Sequence, residues 1–294
     1  LHNSLQKPRP NTGLVLYLNV LSTILFDKPA FKNVIVNGIV AAQDGKKMSK
    51  RLRNYTPPDE LIANYGADAL RLYLISSNLV KGEEQRFNDD GVKDIVRTTL
   101  LPWYNAFKFF QTYASIDQWQ SAPSLAEHTD LDRWILSRLQ TLIEGVNQNM
   151  QAYKLYRVVP PLLSFIDELT NTYIRMNRNR FWGSEQSSDK HAAYQTLYDV
   201  LTTLSKLMAP FSPYLAESTF QSLKPFSSIE APESVHLCTY PHTDKKKQNL
   251  QLETGVAMLQ EVINMARAQR VKAGIKTKTP LASITIIHKD PQVL

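Results

Sequence analysis

Apolar and polar positions along this chain change their spacing twice, and the changes mark out its parts. Leu14 to Phe26 is an apolar stretch interrupted by Asn19, Ser22 and Thr23, which predicts a buried amphipathic helix ending near Asp27-Lys28-Pro29. Val34-Ile35-Val36 and Ile39-Val40-Ala41-Ala42 are short continuous apolar runs, the pattern of a strand buried on both faces of a parallel sheet. Helical spacing takes over at Thr56-Pro57-Pro58-Asp59, which offers a hydroxyl N-cap, a proline in the first turn and an acid behind it. Gly66 stops that helix. A second helix carries Leu70, Tyr73 and Leu74 on one side, Lys81 to Asp90 is a charged connection, and Val92, Ile95, Val96 and Thr99 restore helical spacing as far as Pro102. Phe107, Phe110 and Tyr113 resume it afterwards.

Ser115 to His128 has weak periodicity and reads as a boundary. Beyond it three apolar stripes predict a helical bundle. Asp130 is placed to cap a helix with Leu131, Trp134, Ile135, Leu139, Leu142, Ile143 and Val146 on one face. Leu162, Phe165, Ile166, Leu169 and Tyr173 form the second stripe, and Tyr194, Leu197, Leu201, Leu204 and Met208 the third. Ala231 to Gln248 reads as a connector. Gly255 to Lys272 predicts a last amphipathic helix with Leu259, Val262, Ile263 and Ala266 inward, ended by Gly274, and Leu281 to His288 reads as a strand.

Composition narrows the function only a little. At 294 residues with 43% hydrophobic and 21% charged content, the chain can build real cores in one large or two ordinary domains. A formal charge of +7 with 10% aromatics favours an anionic partner, nucleic acid first among them. Cys238 is the single cysteine, so no internal disulfide and no thiolate zinc cluster can form within the chain, which fits a reducing cytoplasm. The six histidines, including His128, His191 and His236, lack ligand spacing, so no metal held by protein ligands alone is expected. The polar interruptions in Leu14 to Phe26 also argue against a membrane span, which needs about 20 apolar residues.

The most informative stretch follows the second apolar run. In Asp44-Gly45-Lys46-Lys47-Met48-Ser49-Lys50-Arg51-Leu52-Arg53-Asn54, five cations fall within eight positions on a turn, where ligands of parallel sheets gather. Met48 can anchor the loop and Ser49 offers a donor and an acceptor. Ammonium groups act as movable point charges on phosphate oxygens, and stabilise a leaving pyrophosphate where they meet more charge in the transition state than before it. A second basic cluster, Arg175, Arg178 and Arg180 with Asn171 and Trp182, combines guanidinium, amide and aromatic groups of the kinds that read single-stranded RNA. Arg175 and Arg178, three apart, share a helix face.

Lys47-Met48-Ser49-Lys50-Arg51 resembles the second signature loop of class I aminoacyl-tRNA synthetases, in the variant seen in the isoleucyl family. Phe31 to Val40, Tyr65-Gly66-Ala67-Asp68-Ala69-Leu70-Arg71-Leu72-Tyr73-Leu74 and Leu101-Pro102-Trp103-Tyr104-Asn105-Ala106 resemble that family in the same order. Leu169 to Arg180 and Leu207-Met208-Ala209-Pro210-Phe211-Ser212-Pro213 are similar to its anticodon-binding helices, nearest the eukaryotic branch. The likeness runs from Val20 to Leu294. Valyl and leucyl relatives usually carry Gly-Asn-Val after the loop, where this chain has Asn54-Tyr55. The family's first signature, His-Ile-Gly-His, does not occur in the chain, and residues 1–11 match nothing recognisable, so the resemblance implies a C-terminal piece without the editing region.

The resemblance implies a mixed fold: the end of a Rossmann-type α/β catalytic domain (1–54), a stem-contact helical region (55–125), a mostly α-helical anticodon-binding bundle (126–242) and the start of a truncated, small α/β C-terminal unit (243–294). It implies a parent enzyme of the cytoplasm that activates L-isoleucine with ATP and Mg2+ and charges tRNA(Ile). Lys47 and Lys50 would stabilise the pyrophosphate, with Met48, Ser49 and Arg51 completing the ATP contacts, and Asn171, Arg175, Arg178, Arg180 and Trp182 would meet tRNA. Arg51 stands where many relatives have serine. The piece alone is expected to be inactive in isoleucine-dependent pyrophosphate exchange. A non-catalytic tRNA-binding module, a valyl or leucyl type of synthetase, and a plain helical scaffold remain the alternatives.

Overall fold

The computed structural model describes residues 12–122, 128–183 and 187–286. The chain forms two compact units, Leu1–Asn37 and Gly38–Leu294. In the first, α1 (Thr12–Phe26) ends where the sequence places its end, with Asp27 in the left-handed region. The helix is not buried, contrary to the sequence reading: Leu14, Tyr17, Leu21, Ile24, Leu25 and Phe26 all face solvent, because no described residue of this unit is buried and the helix has no core to face. Val34-Ile35-Val36 is likewise exposed and irregular. A strand buried on both faces needs hydrogen-bonding neighbours and layers above and below it, and the described residues supply none there.

In the second unit, β1 (Val40–Ala41) pairs in parallel with β2 (Gln85–Arg86), Val40 opposite Gln85 and Ala41 opposite Arg86. Gly38 enters the pairing so close to the next segment that a Cβ there would lie 1.6 Å from the Glu83 carbonyl oxygen, so no larger residue fits without moving backbone. Between the strands run α2 (Pro58–Tyr65) and α3 (Ala67–Ser76), parted by Gly66 at φ 84°. Thr56 does not cap α2; its hydroxyl donates to Asp89 Oδ2 at 2.6 Å instead. After β2, α4 (Asp89–Ile95) passes through a π-helical turn, Val96–Leu100, into α5 (Leu101–Ile116) without a break. Pro102 has no N–H to give to the preceding turn and its ring crowds that turn's carbonyl, so the ladder widens and the helix survives.

The bundle comprises α6 (Asp130–Gln151), α7 (Val159–Asp167), α8 (Arg175–Trp182), α9 (Ser188–Met208) and α10 (Pro213–Leu223), with α7 and α8 joined by the π-helical segment Glu168–Ile174. All three stripes are buried as expected, Leu131 only partly, in a single apolar cluster that also takes in Leu72, Trp103, Phe107 and Phe110. Asp130 is not the cap of α6. Thr129 is, its hydroxyl accepting from the Asp132 amide at 3.3 Å while Asp132 Oδ2 accepts from the Thr129 amide at 3.0 Å.

Two side chains of α3 tie it to this bundle. Asp68 accepts from the amides of Tyr214 and Leu215 at 3.4 and 2.8 Å, filling the N-terminus of α10 that Ser212 leaves uncapped. Arg71 donates to the carbonyls of Pro210 and Phe211, just beyond α9. Last comes α11 (Leu250–Lys272), capped by Asn249 and followed by Gly274 at φ 66°. Its anchor is polar: Glu253 accepts from Ser137, Thr141 and Arg138 of α6. Leu259, expected inward, is 48% exposed. Residues 281–286 form no strand, and 287 and 288 lie outside the described residues.

Candidate functional site

The cationic loop begins directly beyond β1 and is a built turn. The amide of Gly45 donates to the Ala42 carbonyl at 2.8 Å and that of Ala42 to the Lys46 carbonyl at 2.9 Å, while Ala41 and Lys47 form an antiparallel bridge. Gly45 sits at φ 79°, a conformation that glycine adopts at little cost. Asp44 Oδ1 accepts from the Lys46 amide at 3.0 Å, and that bond, with the nearby Lys46 ammonium, holds the Asp44 carboxyl below its usual range.

The second half of the loop is held by Asn54. Its Oδ1 accepts from the Ser49 amide at 2.9 Å and its Nδ2 donates to the Lys47 carbonyl at 3.2 Å, so one amide side chain brackets the stretch between the two lysines expected to act. Met48 packs against the small cluster of Leu61, Ala69, Phe87 and Val92, the anchoring that its position predicts. Lys47, Lys50, Arg51 and Arg53 are exposed, and Ser49 is half-buried. Among the described residues the loop's one ion pair is Lys46 with Asp44, so Lys47 and Lys50 have no acid neutralising them. Cations held this way by their backbone and left unpaired at their tips suit an anion arriving from solvent.

The second candidate surface lies on α8. Arg175, Arg178 and Trp182 follow helical spacing and are all exposed, Trp182 at 55%. Asn171, exposed one turn earlier in the π-helical segment, receives support from Asp167, to which its Nδ2 donates at 2.6 Å. Arg175 and Arg178 have no ion pair among the described residues. Arg180 departs from this row. Its guanidinium reaches Asp132 at 2.8 Å and Asp189 at 2.7 Å and also donates to Asn177, so it fastens α8 to α6 and α9 and has little to offer a ligand. Arg180 stands two residues beyond Arg178 and so off the face that Arg175 and Arg178 share, a departure that helical spacing shows; the acids that hold it come from other helices and are not legible in the sequence.

Sequence reasoning also missed the bracket made by Asn54 and the α3 contacts of Asp68 and Arg71, whose partners lie far along the chain or on main-chain atoms. Among the described residues no group of three His, Cys, Asp or Glu could hold a metal ion, and no helix is long and apolar enough to cross a membrane.

Residues 132–286 match the family described as the anticodon-binding domain of tRNA ligase, and residues 11–86 match class I tRNA synthetases (I, L, M and V). The chain is 46% identical to the isoleucine--tRNA ligase of Bdellovibrio bacteriovorus over 96% of its own length and 27% of the relative's. It is 44% identical to that of Protochlamydia amoebophila, with the same coverage, and 45% identical to that of Chlamydia muridarum over 94% of this chain and 26% of the relative. All three of these relatives are bacterial, whereas the sequence reading places the anticodon-binding helices nearest the eukaryotic branch. Among solved structures, the LeuRS-tRNA-LeuAMS ternary complex of Agrobacterium radiobacter matches 79% of this chain and 27% of that one, with a TM-score of 0.61 and 20% identity. Mycobacterium tuberculosis methionyl-tRNA synthetase with methionyl-adenylate matches 63% of this chain and 36% of that one, with a TM-score of 0.52 and 20% identity. These two likenesses concern the fold.

Proposed function

The chain belongs to the tRNA ligase family that carries this anticodon-binding domain, and from that membership we propose that it is part of an isoleucine--tRNA ligase. It spans about a quarter of the length of its relatives, 27% for the first two, so the activity proposed is that of the longer protein. That protein would join L-isoleucine to AMP from ATP and Mg2+ in the cytoplasm, releasing pyrophosphate, and pass the aminoacyl group to tRNA(Ile). The relatives' names and the Asn54-Tyr55 pair after the loop support isoleucine over valine or leucine.

The observation that carries the reading is the pair of unneutralised ammonium groups, Lys47 and Lys50, on a backbone fixed by Asn54 and Met48 at the open end of β1. As the α–β phosphate bond breaks, charge grows on the pyrophosphate oxygens. Two cations on flexible stems that meet this growing charge lower the barrier more than they tighten ground-state binding. Ser49 and Arg51 would add a hydroxyl and a further positive charge. On α8, Arg175, Arg178, Asn171 and Trp182 would meet the anticodon loop by ion pairing, amide hydrogen bonds and stacking. The division of labour among residues 1–54, 55–125, 126–242 and 243–294 forms part of the same proposal.

The test is isoleucine-dependent exchange of pyrophosphate into ATP by the full-length protein. Lys50→Ala should lower exchange by about 100-fold or more while tRNA affinity stays unchanged. Exchange at the wild-type rate would remove the assignment.

A further inference from the structure

A cation outside the loop stands at its base. Arg86 on β2 is paired in register with Ala41, the same residue whose other side bridges Lys47, so Arg86 and Lys47 flank one stretch of main chain. The Arg86 side chain reaches the turn: a Cβ built on Gly45 would lie 3.4 Å from Nε, Cζ and Nη2 of Arg86, which places the guanidinium alongside the loop's glycine. The root of this side chain is fixed, because the Arg86 carbonyl accepts from the Tyr73 hydroxyl at 3.4 Å and from Gln85 Nε2 at 2.8 Å, and the Phe87 amide donates to the Ala41 carbonyl at 2.9 Å. Arg86 is exposed and has no ion pair among the described residues. Asp44, the acid of the turn, is already engaged with Lys46.

We propose that Arg86 is a further polyphosphate-binding residue, supplied by the neighbouring strand and acting together with Lys47 and Lys50. This rests on the phosphate reading of the loop. The chemistry differs from that of the lysines. A guanidinium presents a planar fork that grips two oxygens of one phosphate and stays charged at any working pH, whereas an ammonium is a point charge on a flexible stem. A fork anchored on a strand can fix where the phosphate sits while the loop lysines follow the charge as it moves.

The test is calorimetric titration of the 294-residue chain with inorganic pyrophosphate, without added metal, for the wild type and for Arg86→Gln, Arg86→Lys, Lys50→Gln and Lys93→Gln. Lys93 is exposed on α4 and controls for the loss of one positive charge. Circular dichroism confirms that each variant keeps its helices. Arg86→Gln should weaken binding by about tenfold, Arg86→Lys should recover only part of it, and Lys93→Gln should stay within about twofold of the wild type. If Lys50→Gln weakens binding and Arg86→Gln behaves like Lys93→Gln, the loop reading stands and the Arg86 assignment falls. If Arg86→Gln weakens binding and Lys50→Gln does not, Arg86 binds phosphate without Lys50, which overturns their joint action and the role of Lys50. Absence of pyrophosphate binding by the wild type overturns both.

Discussion

Burial pushes two aspartates of the bundle the same way, but their partners leave them shifted in opposite directions, and each shift has a measurable consequence. Burial by itself would raise the Asp132 carboxyl, but hydrogen bonds from Arg180, Tyr173 and Thr129 outweigh it and hold the group below its usual value. Its folded value is therefore lower than the unfolded one of about 3.9. The stabilisation is present above that pH and is lost as pH falls through the folded value. Asp132→Asn should cost about 3 kcal/mol at pH 7, the low end for breaking a buried pair because Arg180 keeps Asp189. Denaturant midpoints should show the gap between variant and wild type closing in acid; a gap independent of pH would contradict the pairing. Asp199 is the reverse case. Burial raises its carboxyl, and the hydrogen bond from Gln195 and the charges of Lys247 and His128 only partly offset this. A raised carboxyl weakens the fold as pH climbs from the unfolded value through the folded one. Asp199→Asn, which keeps an acceptor for Gln195, should be more stable than the wild type at pH 7 and equal to it at about pH 3.

At the scale of elements, periodicity found the long helices because their apolar stripes repeat over several turns, as in α6 and α9. Ends and loops were less legible. Thr129 and Asp130 are both good capping residues, and only the carboxylate of Asp132 closing back on Thr129 decides between them. The cationic loop was legible in its residue types, but its shape depends on Asn54, whose two hydrogen bonds go to main-chain atoms. Asn54→Ala should leave the helices intact and speed hydrogen exchange at the Ser49 amide. If the proposed function holds, in the full-length protein it should lower kcat more than it raises KM, since the lysines would lose their placement for the transition state. Unchanged Ser49 exchange would show that Met48 and the turn hold the loop without Asn54.

At the scale of the molecule, the apolar cluster runs from Leu72 through Trp103 to the bundle, and Asp68 and Arg71 fasten α3 to the ends of α10 and α9. The second unit therefore joins the base of the cationic loop to the bundle that carries α8 in one packed body. On the proposed function, binding of tRNA(Ile) should be salt-dependent. Replacing Arg175 and Arg178 together by alanine should weaken it and flatten the slope of log affinity against log salt by about 0.7 for each lost phosphate contact. Arg180→Ala should act differently, lowering the denaturation midpoint. A double variant with an unaltered slope would remove α8 from the RNA surface.

The sequence by itself determined which stretches become the long helices, which faces of α6, α7 and α9 turn inward, and which residue types gather on the loop after β1, because these depend on local spacing and on groups adjacent in the chain. Tertiary structure alone decided which cations remain free. Arg178 and Arg180 are indistinguishable by type, and only the approach of Asp132 and Asp189 commits one of them to the fold. It also decided that Val34-Ile35-Val36 stays outside any sheet and that Arg86 comes to rest beside Gly45, since strand pairing and ion pairing depend on partners distant in sequence.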